Sequence, residues 1–384
     1  MEVQLKPKVL AWARERARLS PAELAAKMKR KEEQVTAWER TGTIKFNWVE
    51  KLAQVTHTPY GCLFLSEPME EKLPVSDFRT LKDKKLERPS PDLIDVMDLA
   101  VLRQAWYKDH LVSEGAEPLS FVGSLSGQED PAVAAAHIRK ELGIGTELRS
   151  QASTWAEAMK LQTAHLEEHG ILVMRSGTVG SNTHRVLDVE EFRGFALSDE
   201  LAPVIFVNGA DYVGAQMFTL MHELVHVFLG QSAISNLENT YAPDKGTEQF
   251  CNAVAAEILV PADELRHEWQ RAQRLPDPLK PLVGHFKVSG MVMLRRLRDL
   301  GMLTPAAFKE QWAILAGRER VQKAKSSGGD YYGAQRNRAS TLFSRALIAS
   351  TLVGETLYRD AYHLLGIKKH DTFVKYAREL NFSM

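Results

Sequence analysis

From Phe218 to Leu229 the sequence FTLMHELVHVFL is apolar at every position except Thr219, His222, Glu223 and His226, which ties three ionisable groups to a segment that must be buried. Asp211 offers an N-cap and Gly230 a stop, so the spacing predicts one helix of about five turns. Unpaired imidazoles and a carboxylate are costly in such surroundings unless something satisfies them together. At 3.6 residues per turn, His222 and His226 leave one face with Cβ atoms about 5–6 Å apart, so both rings can reach one cation at roughly 2.0–2.1 Å. Glu223 lies about 100° further round, where its carboxylate meets a water rather than the ion. This is the HExxH pattern, which points to zinc, with Glu223 as general base and hydrolysis of a peptide bond as the chemistry.

A catalytic zinc takes a third protein ligand and keeps one position open. The following segment TEQFCNAVAAEILVP holds two carboxylates, Glu248 and Glu257, on one expected helix stopped by Pro261. Nine residues turn a helix by about 900°, which puts the two on opposite faces and lets only one serve. Glu248 is preferred, because Asn252 sits one turn along the same face, where its amide can hydrogen-bond a ligand from behind. Glu257 is then expected at the surface or behind the ligands, and Cys251 as packing. His165, Glu168 and His169 match the inverted HxxEH spacing. Gly170 should end that helix, and no helix with a third carboxylate follows closely, so an ordinary helix-end role is expected. His184 and His267 have no histidine partner at ligand spacing.

The 384 residues exceed one typical core, and a zero net charge conceals an uneven distribution. Residues 1–56 carry 12 Lys and Arg against 7 Asp and Glu, and residues 320–384 carry 11 against 5, which leaves the middle at −11. Any nucleic-acid contact therefore belongs at the ends. Cys62 and Cys251 alone give no disulfide framework, no apolar run reaches the roughly 18 residues of a membrane span, and the start lacks a secretory signal, so a cytoplasmic protein is expected.

The fold class expected is mainly α (α+β). Residues 1–68 read as a five-helix domain with helix-turn-helix spacing: Ser20 caps a helix carrying Leu24, and a second helix from Lys31 turns Val35 and Trp38 inward before Gly42. Residues 69–90 are polar and punctuated by proline, as a linker is. Residues 91–319 alternate helices with the strand candidates ILVMRSG, FRGFALS and APVIFVNG, which make a small sheet before the site helix. Residues 320–335 read as a flexible joint and 336–384 as a C-terminal helical domain with a second helix-turn-helix outline across Gly366.

MFTLMHELVHVFLG followed by EQFCNAVAAEILVP resembles the paired motifs of the ImmA/IrrE metallopeptidases, closely over roughly residues 170–265. The stretch WARERARLSPAELAAKM through VTAWERTG is similar to the amino-terminal Xre-type helix-turn-helix of some members, and CLFLSEPMEEKLPVSDFRT to the segment that joins the two domains. The resemblance implies a zincin-like domain with zinc on His222, His226 and Glu248 and with Glu223 as base. It also implies a site-specific peptidase whose targets are repressors or antitoxins, in a setting of mobile elements, stress responses or toxin-antitoxin pairs. One departure is chemical. The expected recognition helix presents Lys31, Gln34, Thr36 and Arg40 as candidate contacts to double-stranded DNA, but Glu32 and Glu33 would oppose the phosphates. Docking to a protein or homodimerisation through amphipathic helices is the alternative at both ends, and a non-catalytic regulator or antitoxin the alternative for the whole. No membrane partner is expected.

Overall fold

A computed structural model describes residues 1–70, 76–77, 89–235, 245–273, 277–322 and 330–383. The chain is mainly α with small sheets, carrying eighteen α-helices among the described residues. It divides into two compact units, residues 1–74 with 83–98 and residues 75–82 with 99–384. None of the described helices is long and apolar enough to cross a membrane.

In the first unit β1 (Glu2–Gln4) pairs antiparallel with β2 (Thr43–Lys45) beside helices α1 (Pro7–Arg16), α2 (Pro21–Met28), α3 (Glu32–Thr41) and α4 (Phe46–Thr56). The expected fifth helix is a short 3-10 segment, Tyr60–Phe64. Ser20 and Glu23 cap α2 reciprocally, which satisfies two amides that the helix itself cannot. Lys29 takes the left-handed conformation (φ 55°) between α2 and α3, and Gly42 (φ 76°) ends α3. Leu24 and Val35 are buried in this unit's core, and Trp38 packs against it.

The second unit is built on a five-stranded sheet of order β3 (Ser76–Asp77), β7 (Ala233–Ser235), β5 (Gly194–Leu197), β6 (Val204–Asn208) and β4 (Leu172–Ser176). β4 runs parallel to β6 and β3 parallel to β7, while β5 is antiparallel to both of its neighbours. The three expected strands are β4, β5 and β6. Residues 76–77 of the expected linker form β3, and residues 71–75 and 78–88 lie outside the described residues. Helix α5 (Pro91–Ser113) is followed by α6 (Pro131–Leu142), α7 (Thr146–Ser150) and α8 (Trp155–Glu168) before the sheet begins.

The site helix is α9 (Val213–Phe228), capped at Tyr212 rather than at the expected Asp211. Asp211 turns back instead, accepting from the Tyr212 amide (2.9 Å) and pairing with Arg193 (3.2 Å). Beyond it come α10 (Lys245–Leu259), α11 (Ala262–Ala272), α12 (Leu279–Phe286), α13 (Gly290–Asp299) and α14 (Pro305–Gln322). One apolar core, with Leu220, Leu224, Val254 and Ile258 at its centre, joins α9 and α10 to α6, α8 and the sheet.

Four helices close the chain: α15 (Tyr331–Ala339), α16 (Thr341–Leu352), α17 (Tyr358–Leu365) and α18 (His370–Glu379). Residues 331–335, expected to belong to a flexible joint, are helical because Asp330 accepts from the Tyr332 and Gly333 amides and starts α15 there. Residues 323–329 of that joint lie outside the described residues. α15 packs on β4, so these helices share one compact unit with the sheet. Buried Arg103 on α5 anchors them: its Nε donates to the Leu364 carbonyl (2.8 Å) and Nη1 to the Arg338 carbonyl (2.7 Å). Both acceptors are at helix C-termini, where a cation is favoured. Burial pushes the guanidinium down to about 9, so it remains charged at neutral pH.

Glu167 at the end of α8 supplies a second anchor, accepting from Ser340 Oγ (2.5 Å) and the Thr341 amide (2.9 Å) at the start of α16. Ser340 is held at φ 64°, a region costly for a residue with a side chain, by on the order of 1–3 kcal/mol. Burial pushes the Glu167 carboxyl from 4.5 up to about 7, against the hydrogen bonds that favour its ionised form. The folded chain thus holds this proton more tightly than the unfolded chain. Its contribution is fully present below about pH 4.5 and is lost as pH rises through 7, a change on the order of 3 kcal/mol. Glu167→Gln keeps an acceptor without the charge. Chemical denaturation of this variant should show a flatter stability profile between pH 5 and 8 and greater stability than the parent at pH 8; an unchanged slope would remove Glu167 as its source.

Candidate metal centre

Four residues from two adjacent helices meet behind the sheet: His222, Glu223 and His226 on α9, and Glu248 on the first turn of α10. Both histidine Nε2 atoms point to one spot and stand 3.2 Å apart. Glu248 reaches the same spot, with Oε1 3.1 Å from His226 Nε2 and Oε2 3.4 Å from His222 Nε2. Ligand atoms about 2.0–2.1 Å from one tetrahedral cation are roughly 3.3–3.4 Å apart, so these separations suit a single zinc-sized ion. Among the described residues, His222, His226 and Glu248 are the group of side chains arranged to hold a metal.

The electrostatics agree with that reading. All three α9 residues are inaccessible to solvent and Glu248 is 6% exposed. Burial works against charge on both imidazoles. Glu248 overcomes it at His222, whose pKa is raised, whereas His226, beside a charged His222, falls below its ordinary value. Burial also opposes ionisation of Glu248, but hydrogen bonds and charge from both histidines hold its carboxyl below the usual carboxylate range. Glu223 differs. Burial, with Glu248 adding to it, pushes its carboxyl up to about 8, and neither of its oxygens has a hydrogen-bond partner. A carboxyl poised near neutral pH is suited to accepting and returning a proton, and a cation beside it would favour its charged form.

Residues 166–298 match the family model described as IrrE N-terminal-like domain. That span begins on α8, contains β4 to β7 and all four site residues, and ends on α13. The match supports an ImmA/IrrE-type, metallopeptidase-like domain in this part of the chain. Residues 339–379 match a family described as a domain of unknown function (DUF8813). No curated protein and no solved structure matches the chain.

Asn252 lies beside His222 and favours its charged form, although His222 Nδ1 itself is buried without a hydrogen bond. Cys251 packs in the apolar core as expected, and its Sγ is 3.8 Å from His226 Nδ1. Glu257 was expected at the surface or behind the ligands. It is 8% exposed, ion-paired with Arg296 and bonded to the Ala262 amide at 3.0 Å, so it ties the end of α10 to α13 and α11. The inverted-motif residues hold no metal position. His165 contacts the Leu142 carbonyl and His169 Nδ1 the His165 carbonyl (2.9 Å), both helix-end bonds. His184 and His267 likewise join no metal-holding group among the described residues.

Two neighbours of Glu223 carry no signal in the sequence. Ser235, at the end of β7, approaches Glu223 and favours its charged form. Gly194 starts β5 so close to the site helix that a Cβ there would lie 2.6 Å from Thr219 Cγ2, 2.8 Å from Glu223 Oε1 and 2.9 Å from the Phe206 carbonyl. Only the strand pairing that brings β5 under α9 reveals either of them.

In the first unit Lys31, Gln34, Thr36 and Arg40 are all exposed on α3 or at its start. Gln34 Oε1 accepts from the Lys31 amide (3.4 Å) and Thr36 Oγ1 donates to the Glu32 carbonyl (3.0 Å), so two of the four make local contacts. Glu39, one residue before Arg40, accepts both arms of Arg14 at 2.7 and 3.0 Å.

Proposed function

We propose that this chain is a zinc-dependent endopeptidase that cuts a regulatory protein of repressor or antitoxin type, with its N-terminal helices docking DNA or that protein. The observation that carries the reading is the set of three buried donors with separations of 3.1, 3.2 and 3.4 Å beside a carboxyl pushed up to about 8. A divalent cation held by His222, His226 and Glu248 would polarise a peptide carbonyl and acidify a water. Glu223 has the place and proton affinity to take the water's proton and deliver it to the leaving amine. The two histidines hold the Glu248 carboxyl below the usual carboxylate range in spite of burial, which favours the charged form that a cation needs as ligand. Cys251 and Asn252 pack behind the two imidazoles and limit their rotation.

Complete burial of His222, Glu223 and His226 favours a latent form of this activity, because a peptide reaches them only after local rearrangement. The test is co-incubation of the purified, zinc-loaded chain with the helix-turn-helix protein or toxin encoded beside it. Discrete fragments are expected, absent after chelation and absent with Glu223→Gln. If the intact partner instead forms a stable complex whose yield is the same with and without zinc, the chain acts as a binding protein.

A further inference from the structure

A cavity of about 320 Å³ lies in the same unit outside the metal centre, between α6, α7, α8, the middle of α9 and the ends of α10 and α12. Its walls are apolar, formed by Ile144, Ala158, Met217, Met221, Ile258 and Phe286. Its rim is basic: Arg139, Lys140, Arg149 and Lys287 all line it, and among the described residues no carboxylate does. Glu264, outside the lining, pairs with Arg149 and also with His285 (2.7 Å), and so offsets one of the four cations. Burial, together with repulsion from Arg139, pulls the Arg149 guanidinium below its ordinary value in spite of Glu264. Gln162 is the polar side chain of the interior. It is 7% exposed, and its Oε1 is buried with no hydrogen-bond partner.

Apolar walls under a crowd of like charges describe one class of occupant. We propose that this cavity binds a small organic anion, an apolar body of about ten heavy atoms with a carboxylate or phosphate head held at the Arg139, Lys140, Arg149 and Lys287 rim. The size follows from the volume at ~30 Å³ per heavy atom, near the lower bound of known small-molecule pockets. The head belongs at the rim because the four cations there have one carboxylate between them among the described residues, with Lys287 and Arg149 otherwise donating to the Ser153 (3.3 Å) and Leu259 (3.4 Å) carbonyls, and bidentate guanidinium contacts suit either acid. Met217 and Met221 belong to α9 and Ile258 to α10, so the occupant packs against both helices that carry the metal donors. Flexible methionine side chains let such a wall fit more than one body. Regulation of cleavage through this contact rests on the peptidase reading, whereas binding does not.

The test is isothermal titration of the full chain with octanoate, octyl phosphate, octan-1-ol and acetate, which needs no turnover. Saturable one-to-one binding of octanoate or octyl phosphate is expected, with none for acetate; the tighter of the two identifies the head. Arg139→Gln combined with Lys140→Gln should weaken the anion about tenfold and leave octan-1-ol unchanged, since partly exposed cations each contribute modestly. Neither position is in the core, so this variant should stay folded, its melting temperature lowered only by the small loss of two cations from the last turn of α6. Ala158→Leu adds three carbons to the wall, about 90 Å³ at ~30 Å³ per heavy atom and so roughly a quarter of the cavity, and should weaken binding of all three eight-carbon compounds. Absence of saturable binding by both anions overturns the proposal, as does binding that neither the rim pair nor Ala158→Leu alters.

Discussion

Glu223→Gln should lower cleavage by about 10²–10⁴-fold, the range that a positioned general base supplies, while leaving zinc content unchanged. The substitution is close to isosteric, so the helix and its two histidines keep their places. Stability should not fall. In the parent, Glu223 is fully buried, neither oxygen has a partner, and its pKa is pushed up to about 8, so the site disfavours the charged form and folding at neutral pH costs the uptake of a proton. A neutral amide removes that burden, so the melting temperature of the metal-free variant should equal or exceed the parent's. Loss of activity without loss of metal or fold separates a proton-transfer role from a packing role. A Glu223→Gln protein that still cuts at the parent rate would move the base elsewhere.

Gly194→Ala should damage the site from the opposite side. The added methyl would sit 2.6 Å from Thr219 Cγ2, 2.8 Å from Glu223 Oε1 and 2.9 Å from the Phe206 carbonyl. Phe206 lies directly across the antiparallel pair from Phe195, so its carbonyl is fixed by the sheet and cannot retreat. Overpacking of this kind costs about 1–3 kcal/mol, or roughly 5 °C in melting temperature for a unit of this size. The strand must shift from α9, or the Glu223 carboxylate must turn away, and cleavage should fall at least tenfold in either case. Thr219→Ser removes the nearest methyl and should restore part of both losses when combined with Gly194→Ala. Full stability and activity in the single variant would mean that β5 does not press on the site helix.

Much of this arrangement is legible in the sequence because it is local. His222, Glu223 and His226 share one helix, and the 3.6-residue period alone brings their side chains to one end of it. Glu248 and Glu257 were separable by the same period, and the structure puts them on opposite sides of α10, one against the histidines and one against Arg296. β4, β5 and β6 are short, apolar and bounded by turn residues, so their existence could be read directly. Their order could not. The parallel pairing of β4 with β6 and the placing of β5 beside β7 depend on contacts between distant segments, and with them the roles of Gly194 and Ser235. Residues 331–335 misled for a different reason. Gly333 and two serines nearby suggest a joint, but a single capping aspartate, Asp330, is enough to start a helix that then packs on β4. Arg103 is similarly invisible, since a lone arginine on a helix gives no hint that two helix ends will converge on it.

The most direct measurement is the metal content and affinity of the purified full chain, prepared without chelator, beside Glu248→Ala and His226→Ala. One zinc per chain is expected for the parent, with affinity reduced by at least a hundredfold in either variant and folded structure retained by circular dichroism. A parent that binds no zinc, or variants that bind it as tightly as the parent, would contradict a metal centre formed by His222, His226 and Glu248.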